Sequence, residues 1–342
     1  MRSCLAFLSS TRFTLLGMAC LGFGAALSYD NPVSTPVWVL VVPLLALAIN
    51  LSFAIVRNPA INRRSGLLLF HLALLGIVVL VAIGRLTHFE AHVELADGMA
   101  LTDAPLLNVK QGPWHAGDLQ SVQFVQESYT VNYRAGMKRG LTFSHIHLPD
   151  GQGGWEDKAI GDDRPLLRDG YRIYTTSNKG FAPVLKWQGD NGEVLTGAVN
   201  MPSYPLMAYK QANEWLTPAG EPVNFWLQLD TGLDENNTWL LDPARAAGVL
   251  VINRDDKRIE MKPGDSIRVQ GGRLTYERLG GWMGYKIFYD PTLLWLFICA
   301  VLAVLGMSIH YWQKFSATPL IVHKPANAVT GTGKLSTTKS SV

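Results

Sequence analysis

Long apolar runs and short alternating segments divide this chain into two kinds of region. Three apolar runs lie within the first 84 residues and a fourth follows residue 290, at residues 13–27, 37–56, 67–83 and 291–312. Each approaches the roughly 20 residues that a helix needs to cross the hydrocarbon core of a bilayer. The pattern predicts a multi-span α-helical membrane protein, with three transmembrane helices before an inserted domain and a fourth transmembrane helix after it.

The first apolar run is the shortest of the four and has a second interpretation. It also fits the core of a signal peptide, because Arg2 and Arg12 precede it. The sequence ending at Cys20 loosely resembles a lipoprotein cleavage site, but Gly17 stands where a large aliphatic residue is expected. Apolar sequence also continues beyond Cys20. We therefore interpret the run as an uncleaved anchor.

Residues 85–290 show a different pattern, in which short segments often alternate between apolar and polar residues. Such segments, rich in β-branched and aromatic residues, are typical of strands. They are Ser128–Tyr133, Leu141–Leu148, Tyr171–Thr175, Pro183–Trp187, Val223–Leu229, Gly248–Asn253, Ser266–Val269, Leu274–Arg278 and Tyr285–Tyr289. Clusters of Gly, Asp, Asn and Pro separate them, which predicts turns. We expect an extracytoplasmic β-rich domain of antiparallel sheets, and the segment Tyr204–Trp215 favours a short helix.

The basic residues predict how the chain is oriented. They precede the first run, separate the second from the third and follow the fourth, at Arg2, Arg12, Arg57, Arg63, Arg64, Lys314, Lys324, Lys334 and Lys339. The turn Tyr29–Pro36 contains no Lys or Arg. Lys and Arg accumulate in cytoplasmic loops, so both termini are expected in the cytoplasm and residues 85–290 on the opposite side of the membrane. We take this membrane to be a bacterial plasma (inner) membrane. The tail, residues 313–342, is rich in Thr, Ser, Gly and Lys and is expected to be disordered.

Charge, cysteine content and missing motifs exclude several function classes. The net charge of +3 follows from the orientation of the chain and does not indicate nucleic-acid binding. The three cysteines, at positions 4, 20 and 299, lie in or beside the apolar runs, so residues 85–290 cannot form a disulfide. The chain has no Cys-x-x-Cys-His heme-attachment motif, no Walker loop and no Gly-x-Ser-x-Gly elbow. No catalytic residue can be assigned.

His71 is the most informative single residue, because it lies inside the third apolar run. A titratable ring at membrane depth costs free energy and needs a partner, which makes it a functional-site hypothesis. Neutral imidazole is a good iron ligand when its second nitrogen is hydrogen-bonded. The alternative is a helix-packing histidine bonded to a carbonyl or to a neighbouring side chain such as Asn50 or Ser52.

Other histidines are weaker candidates. His310 lies near the cytoplasmic end of the fourth run and approaches His71 if the third and fourth helices pack together; otherwise it belongs to an interfacial aromatic belt. His88 and His92 follow the third run and would align on one face if the helix continued. His145 and His147 share one face of a predicted strand, without an obvious carboxylate partner, and His115 is interpreted as a loop residue.

Several short motifs, in this order, resemble the ResB family, also called CcsB, of the System II cytochrome c maturation machinery. They cover residues 7–312 and are Phe7–Phe13, Phe70-His71-Leu72 with Gly76, Gly84-Arg85-Leu86, Val93–Gly98, Tyr129–Leu148, Asp169–Tyr174 and Tyr289-Asp290-Pro291. The resemblance also includes three spans before the domain and one after it. It is carried by the order of the motifs rather than by any one of them.

The resemblance implies a function in heme export. Proteins of this family pair with CcsA, a membrane protein, and together they move heme outward and attach it to apocytochrome c. The histidine of the third span is an axial heme ligand in that family, which implies this role for His71. The implied cofactor is a transient, transported heme b, and the implied partners are a CcsA-like membrane protein, apocytochrome c and the lipid bilayer.

Three alternatives from other classes stay open. The chain could be an assembly scaffold for cytochrome maturation that does not ligate heme. It could be a self-contained heme carrier that uses both His71 and His310. It could also be a membrane-anchored sensor or adhesion module without heme. Normal cytochrome maturation by a His71→Ala variant would favour the scaffold, and loss of heme from the isolated protein in a variant of either His71 or His310 would support the carrier. The sensor or adhesion module should bind no heme and need no CcsA-like partner.

Overall fold

The four predicted spans form long helices in the computed structural model, which describes residues 9–32, 34–150, 153–230, 234–254 and 257–316. They are α1 (Thr11–Asp30), α2 (Trp38–Arg57), α4 (Ser65–Thr87) and α5 (Leu293–Ser316), with a short helix α3 (Pro59–Asn62) between α2 and α4. All four long helices are long and apolar enough to cross a membrane, by length and composition. Many of their large apolar side chains are exposed, as lipid-facing side chains would be.

The helix ends differ from the predicted ends by a few residues. Helix α4 continues to Thr87, beyond the predicted end at residue 83, and α5 continues to Ser316. Residues 313–316 of the predicted tail are therefore helical, and the rest of that tail lies outside the described residues. The first helix begins after Ser10, whose hydroxyl accepts a hydrogen bond from the Phe13 backbone N–H at 3.3 Å, a typical N-cap.

The long helices pack side by side in chain order. Helix α1 packs against α2, α2 against α4, and α4 against α5. Small residues allow these helices to approach closely. Gly24 of α1 illustrates this, because a Cβ atom there would lie 2.8 Å from the carbonyl oxygen of Val39 in α2.

The region between α4 and α5 forms fifteen strands in the part of the chain that is described. They are β1 (Phe89–Ala96), β2 (Leu107–Gln111), β3 (Val125–Arg134), β4 (Lys138–Pro149), β5 (Trp155–Gly161), β6 (Leu166–Arg168), β7 (Tyr171–Gly189), β8 (Val194–Ala198), β9 (Ala212–Leu216), β10 (Pro222–Leu229), β11 (Trp239–Leu241), β12 (Gly248–Arg254), β13 (Lys257–Met261), β14 (Ser266–Val269) and β15 (Gly272–Tyr289).

These strands form three antiparallel sheets. The largest has the order β2-β1-β15-β7-β6, with β14 added to β15 and β8 added to β7. Two four-stranded sheets have the orders β11-β3-β4-β5 and β13-β12-β10-β9. One core joins all three, and alternate residues of β1 point into it: Phe89, Ala91, Val93 and Leu95 are each at most 1% exposed. This two-residue period is the strand signature.

The largest sheet is connected directly to the helices. Strand β1 follows α4 with one residue between them, and α5 follows β15 with three residues between them. Phe89 pairs with Tyr289 in the β1–β15 register. The antiparallel helix pair α4–α5 therefore continues as an antiparallel strand pair.

The predicted helix at Tyr204–Trp215 is wrong. The structure has a single 3₁₀ turn at Ala208–Lys210 and then strand β9. Trp215 pairs with Val223 of β10, and this sheet pairing overrides the local preference for a helix. The strand predictions hold better, although Tyr171–Thr175 and Pro183–Trp187 are two parts of the single strand β7.

Candidate functional site

His71 lies in the second turn of α4 with its ring partly exposed. Its Nδ1 lies 2.7 Å from the carbonyl oxygen of Leu67, one helical turn earlier. A carbonyl oxygen only accepts hydrogen bonds, so Nδ1 carries the hydrogen and the lone pair of a neutral ring lies on Nε2. Phe70 meets the ring edge-on, with centroids 5.3 Å apart. The imidazole is therefore oriented, and its Nε2 has the electronic form that a metal ligand needs.

The side chains considered as partners of His71 are engaged elsewhere. Asn50 accepts a hydrogen bond from Thr14 at 2.7 Å and donates to the carbonyl of Ser10 at 3.3 Å. Ser52 donates to the carbonyl of Ala48 within its own helix. Among the hydrogen-bond partners considered for a packing histidine, the structure pairs His71 with a backbone carbonyl, that of Leu67.

Glycines bring α4 and α5 into backbone contact. A Cβ atom at Gly306 would lie 2.6 Å from the backbone nitrogen of Phe70, and one at Gly76 would lie 2.8 Å from the sulfur of Cys299. A Cβ atom at Gly66 would overlap the backbone nitrogen of His310. The two helices thus run antiparallel with Gly66 beside His310.

His71 and His310 are not brought together by this packing. Helix α4 turns about 100° per residue, which puts His71 about 140° away from Gly66 around the helix axis. His71 therefore lies on the side of α4 that faces away from α5, whereas the backbone of His310 is in the α4–α5 contact. The two positions are also offset by about 7.5 Å along the axis, given the 1.5 Å rise per residue.

His88 ends α4 at the opposite end from His71. Its Nδ1 lies 3.0 Å from the carbonyl oxygen of Arg85, which again leaves Nε2 as the acceptor nitrogen. His88 lines a cavity of about 570 Å³ between the ends of α1, α2 and α4 and strand β2. Arg85 and Lys110 also line this cavity and make it cationic.

His88 and His92 do not share a helical face, because the helix does not continue: α4 ends at Thr87 and strand β1 begins at Phe89. His92 lies in β1 opposite Lys286 of β15. Its Nδ1 is buried and has no hydrogen-bond partner among the described residues. The sequence interpretation of His147 also needs correction, because Asp157 lies 2.6 Å from its Nδ1 and Glu127 lies 3.6 Å from its Nε2.

An aromatic cluster joins the helices to the strands, and it contains His115, which lies in a loop as predicted. His115 stacks on Phe89 at 4.8 Å, and its Nε2 lies 2.9 Å from the hydroxyl of Tyr171. Tyr289 packs edge-on against the same ring at 5.0 Å. Burial, with a smaller effect of nearby His88, lowers the pKa of His115. The ring is thus a packed structural element.

Three of the quoted motifs meet at this cluster. Asp169 and Gly170 form the two-residue turn between β6 and β7, both with positive φ, as such hairpins require. A Cβ atom at Gly170 would lie 2.8 Å from the ring of Tyr289, the first residue of the motif Tyr289-Asp290-Pro291. Gly84 begins the motif Gly84-Arg85-Leu86, and a Cβ atom there would lie 2.9 Å from the Thr292 hydroxyl. That hydroxyl donates a hydrogen bond to Asp290 at 2.7 Å.

A polar group of side chains lies inside the β-rich domain. The Ser144 hydroxyl is 2.9 Å from Gln126 Oε1, and the Tyr285 hydroxyl also contacts both side chains. Asp97 accepts a hydrogen bond from the Gly281 backbone N–H at 2.6 Å. Burial raises the pKa of Asp97 to about 6, although the Gly281 N–H and the charge of Arg278 oppose this shift. Such a buried network fixes the arrangement of the sheets.

The described residues contain no group of three or more His, Cys, Asp or Glu side chains that could hold a metal ion. A metal held by protein side chains alone usually needs at least three of them. A single histidine with a free Nε2 suits a different ligand, a metal already held by a macrocycle, which needs only axial ligands from protein.

A comparison with models of protein families supports the sequence resemblance. No curated protein matches the chain. Among solved structures, one similar chain is described as "Cytochrome c Heme Lyase CcmF", with 12% sequence identity and a TM-score of 0.28. The match covers 89% of this chain and 35% of that chain, so this chain spans about a third of its length, and a TM-score so low carries no argument about function. The family model described as "ResB-like family" matches residues 61–315. Because that range covers more than half of the sequence, the chain belongs to the ResB-like family.

Proposed function

We propose that this chain is the membrane subunit of the System II cytochrome c synthase. In this proposal it moves heme b out of the cytoplasm and, with a CcsA-like partner, supports the covalent attachment of heme to apocytochrome c. Family membership supports the proposal. The chain acts as one subunit of the heme lyase, and no residue of it is assigned to thioether formation.

The observation that carries the proposal is the state of the His71 ring. The Leu67 carbonyl accepts a hydrogen bond from the Nδ1–H group, so Nε2 is the nitrogen that would bind iron. The ring lies on the side of α4 that faces away from α5 and is partly exposed, so a second protein could reach its open part. Heme would bind between this side of α4 and the partner, which would supply the other axial ligand.

The proposed orientation fits this use of His71. With Arg63 and Arg64 in the cytoplasm, His71 lies about 10 Å from the start of α4 on the cytoplasmic side, given 1.5 Å per residue. Heme is made in the cytoplasm, so a ligand near that face would capture it first. The β-rich domain would then lie outside and position the apocytochrome or the partner.

The test is the optical spectrum of the protein purified in detergent after coexpression with a CcsA-like partner. The wild type should show a low-spin bis-histidine heme, and His71→Ala should lose that spectrum and most of the copurified heme. His310→Ala is the matched control, since it removes an imidazole from the same half of the membrane on the other side of α4. Heme that is unchanged in His71→Ala, with the partner still bound, would refute ligation and favour the scaffold alternative.

A further inference from the structure

Lys179 is a buried cation in the β-rich domain that the proposed function does not use. Its side chain is in β7 and is 2% exposed. Its Nζ donates to the carbonyl oxygen of Ser177 at 3.3 Å and lies 5.8 Å from the ring centre of Tyr133. An ammonium group has three donors, and no ion pair among the described residues includes Lys179. A buried ammonium is rarely left without a counter-charge.

The nearest charged side chains do not supply that counter-charge. Arg139 forms an ion pair with Asp162 at 2.6 Å. The same carboxylate also accepts hydrogen bonds from the hydroxyl of Thr175 and from the backbone N–H of Thr142, both at 3.1 Å. Asp162 is thus engaged by three other donors, which leaves one positive charge available at Lys179.

A cavity of about 460 Å³ lies beside Lys179. Tyr133 and Tyr204 form aromatic parts of its wall, and the exposed side chain of Glu235 also lines it. A second cavity of about 300 Å³ shares Tyr204 and is lined by Trp239. The Trp239 ring stacks on Tyr133 at 4.6 Å. Other charged side chains line the cavities as well: Arg139, Asp234, Asp242 and Arg245. Arg139 is paired with Asp162, and Arg245 with Asp242 at 3.3 Å. The two cavities together therefore have aromatic walls and one buried cation, Lys179, that is outside an ion pair.

Trp239 provides a second, independent indication of a ligand. Its Nε1 is buried and has no hydrogen-bond partner among the residues that the structure describes. An indole N–H only donates, and a buried donor without an acceptor costs about 1–3 kcal/mol. The Trp239 indole N–H thus lacks an acceptor, and the Lys179 ammonium has one backbone acceptor for three donors. An acceptor from outside the chain would serve both groups.

We propose that these cavities form a binding site for a carboxylate carried on an aromatic or other apolar body. The carboxylate would accept hydrogen bonds from Lys179, and the body would pack on Tyr133, Tyr204 and Trp239. A single available cation fits a monoanion rather than a phosphate dianion. This site is distinct from His71, and its existence does not depend on the proposed heme function.

The ionisation of Lys179 supports this assignment. Burial, together with the nearby charge of Arg139, lowers the pKa of Lys179 to about 8, and the charge of Asp162 opposes this shift. The side chain is therefore mostly charged at neutral pH. Two sources of a matching carboxylate are a porphyrin propionate and an acidic side chain of a peptide, and an experiment can separate them.

The experiment measures the binding of 3-phenylpropionate to the full-length protein in detergent at pH 7 by saturation-transfer NMR. Wild type should bind the probe, and Lys179→Met should weaken binding at least about tenfold, as expected for the loss of a charge-assisted hydrogen bond. Lys158→Met is the matched control, because Lys158 is an exposed lysine of the same domain. The neutral amide of the probe should not bind to the wild type.

Equal binding to wild type and Lys179→Met, or equal binding of the amide, would overturn the proposal. Removing an unpaired buried charge should not lower the thermal stability, so the melting temperature of the variant separates loss of the site from loss of the fold. A second variant, Trp239→Phe, keeps the stacked ring and removes the indole N–H. It should weaken probe binding several-fold, and unchanged binding would contradict the role of Trp239.

Competition identifies the source of the carboxylate. Iron-free protoporphyrin IX should displace the probe if the ligand is a porphyrin propionate, whereas its dimethyl ester should not. Displacement by an acidic peptide instead would identify a peptide carboxylate. Because iron-free porphyrin takes no axial ligand, its binding should be unchanged in His71→Ala, so a failure here is distinguishable from a failure of heme ligation at His71.

Discussion

Asp97 is a residue whose ionisation should affect the stability of the whole β-rich domain. Its pKa is about 6 in the folded protein and about 3.8 in a model compound. Between these values the native state holds a proton that the unfolded state has released, so stability falls as pH rises from about 4 to about 6. The shift corresponds to up to about 3 kcal/mol, at 1.36 kcal/mol per pKa unit.

The variant Asp97→Asn tests this assignment. It should remove most of the decrease in stability between pH 4 and pH 6, because an amide does not ionise. Thermal unfolding of the detergent-solubilised protein, followed by circular dichroism at several pH values, measures it. The charges nearest to Asp97 are those of Arg278 and Asp242, and both remain in the variant. An identical pH profile for wild type and variant would contradict the buried, raised pKa.

Tyr171 is a second residue with a specific expected effect. Its hydroxyl bonds to His115 Nε2 at 2.9 Å and to the carbonyl of Asp118 at 3.0 Å. Tyr171→Phe keeps the ring and removes both bonds, so it should cost about 1–3 kcal/mol of stability. Tyr174→Phe is the comparison, because the hydroxyl of Tyr174 makes no hydrogen bond among the described residues and its loss should have little effect.

Single residues were predictable from sequence only where their local context was unusual. His71 was found because its neighbours in sequence are apolar over a full span. His115 and Lys179 were not singled out, because their surroundings come from strands far apart in sequence: His115 contacts Phe89, Tyr171 and Tyr289. Burial of this kind is a property of the fold and leaves no local pattern.

Helices α4 and α5 depend on glycine at their crossing. A side chain at Gly306 would meet the backbone of Phe70, which cannot move as a side chain can. Gly306→Leu should therefore separate the helices and reduce both folded yield and copurified partner. Gly22→Ala in α1 is the control, because no atom lies within 4 Å of a Cβ there. Size-exclusion chromatography of the two variants measures the effect, and a normal profile for Gly306→Leu would contradict the close crossing.

Helices and strands were predicted well where the pattern of apolar residues continues without a break, and poorly where glycines interrupt it. The four long helices were found within a few residues, because uninterrupted apolar sequence is an unambiguous signal. Strand β15 was predicted as two strands because Gly280, Gly281 and Gly284 interrupt its alternation. The structure explains Gly281: a Cβ atom there would lie 2.7 Å from the Tyr129 ring. The glycine is needed for packing and does not end the strand.

At the scale of the whole molecule, the pairing of distant segments was beyond sequence reasoning. Residues that pair between β7 and β15 are at least about 80 positions apart in sequence, and the two strands pair along most of their length. Their pairing, and that of β1 with β15, places the domain directly on α4 and α5. The alternating pattern predicts strands but does not specify which strands pair, because many registers bury the same apolar residues.

The proposed orientation makes a prediction for the whole molecule. Single cysteines at Glu156 in β5 and at Asn62 in α3, introduced after replacement of the native cysteines, should differ in their reaction with a membrane-impermeant maleimide in intact cells. Glu156→Cys should react, and Asn62→Cys should react only after the cells are opened, since both positions are exposed on the protein. The reverse result would place the β-rich domain in the cytoplasm and remove the basis for heme export.

The most direct test of the account is chemical rescue at His71. His71→Gly, purified with a CcsA-like partner, leaves a space where the imidazole was. We predict that it lacks the low-spin heme spectrum, and that added imidazole restores the spectrum by supplying the missing nitrogen ligand. His310→Gly, treated in the same way, should resemble the wild type with and without imidazole. A wild-type heme spectrum in His71→Gly without imidazole would contradict the claim that His71 Nε2 binds the iron.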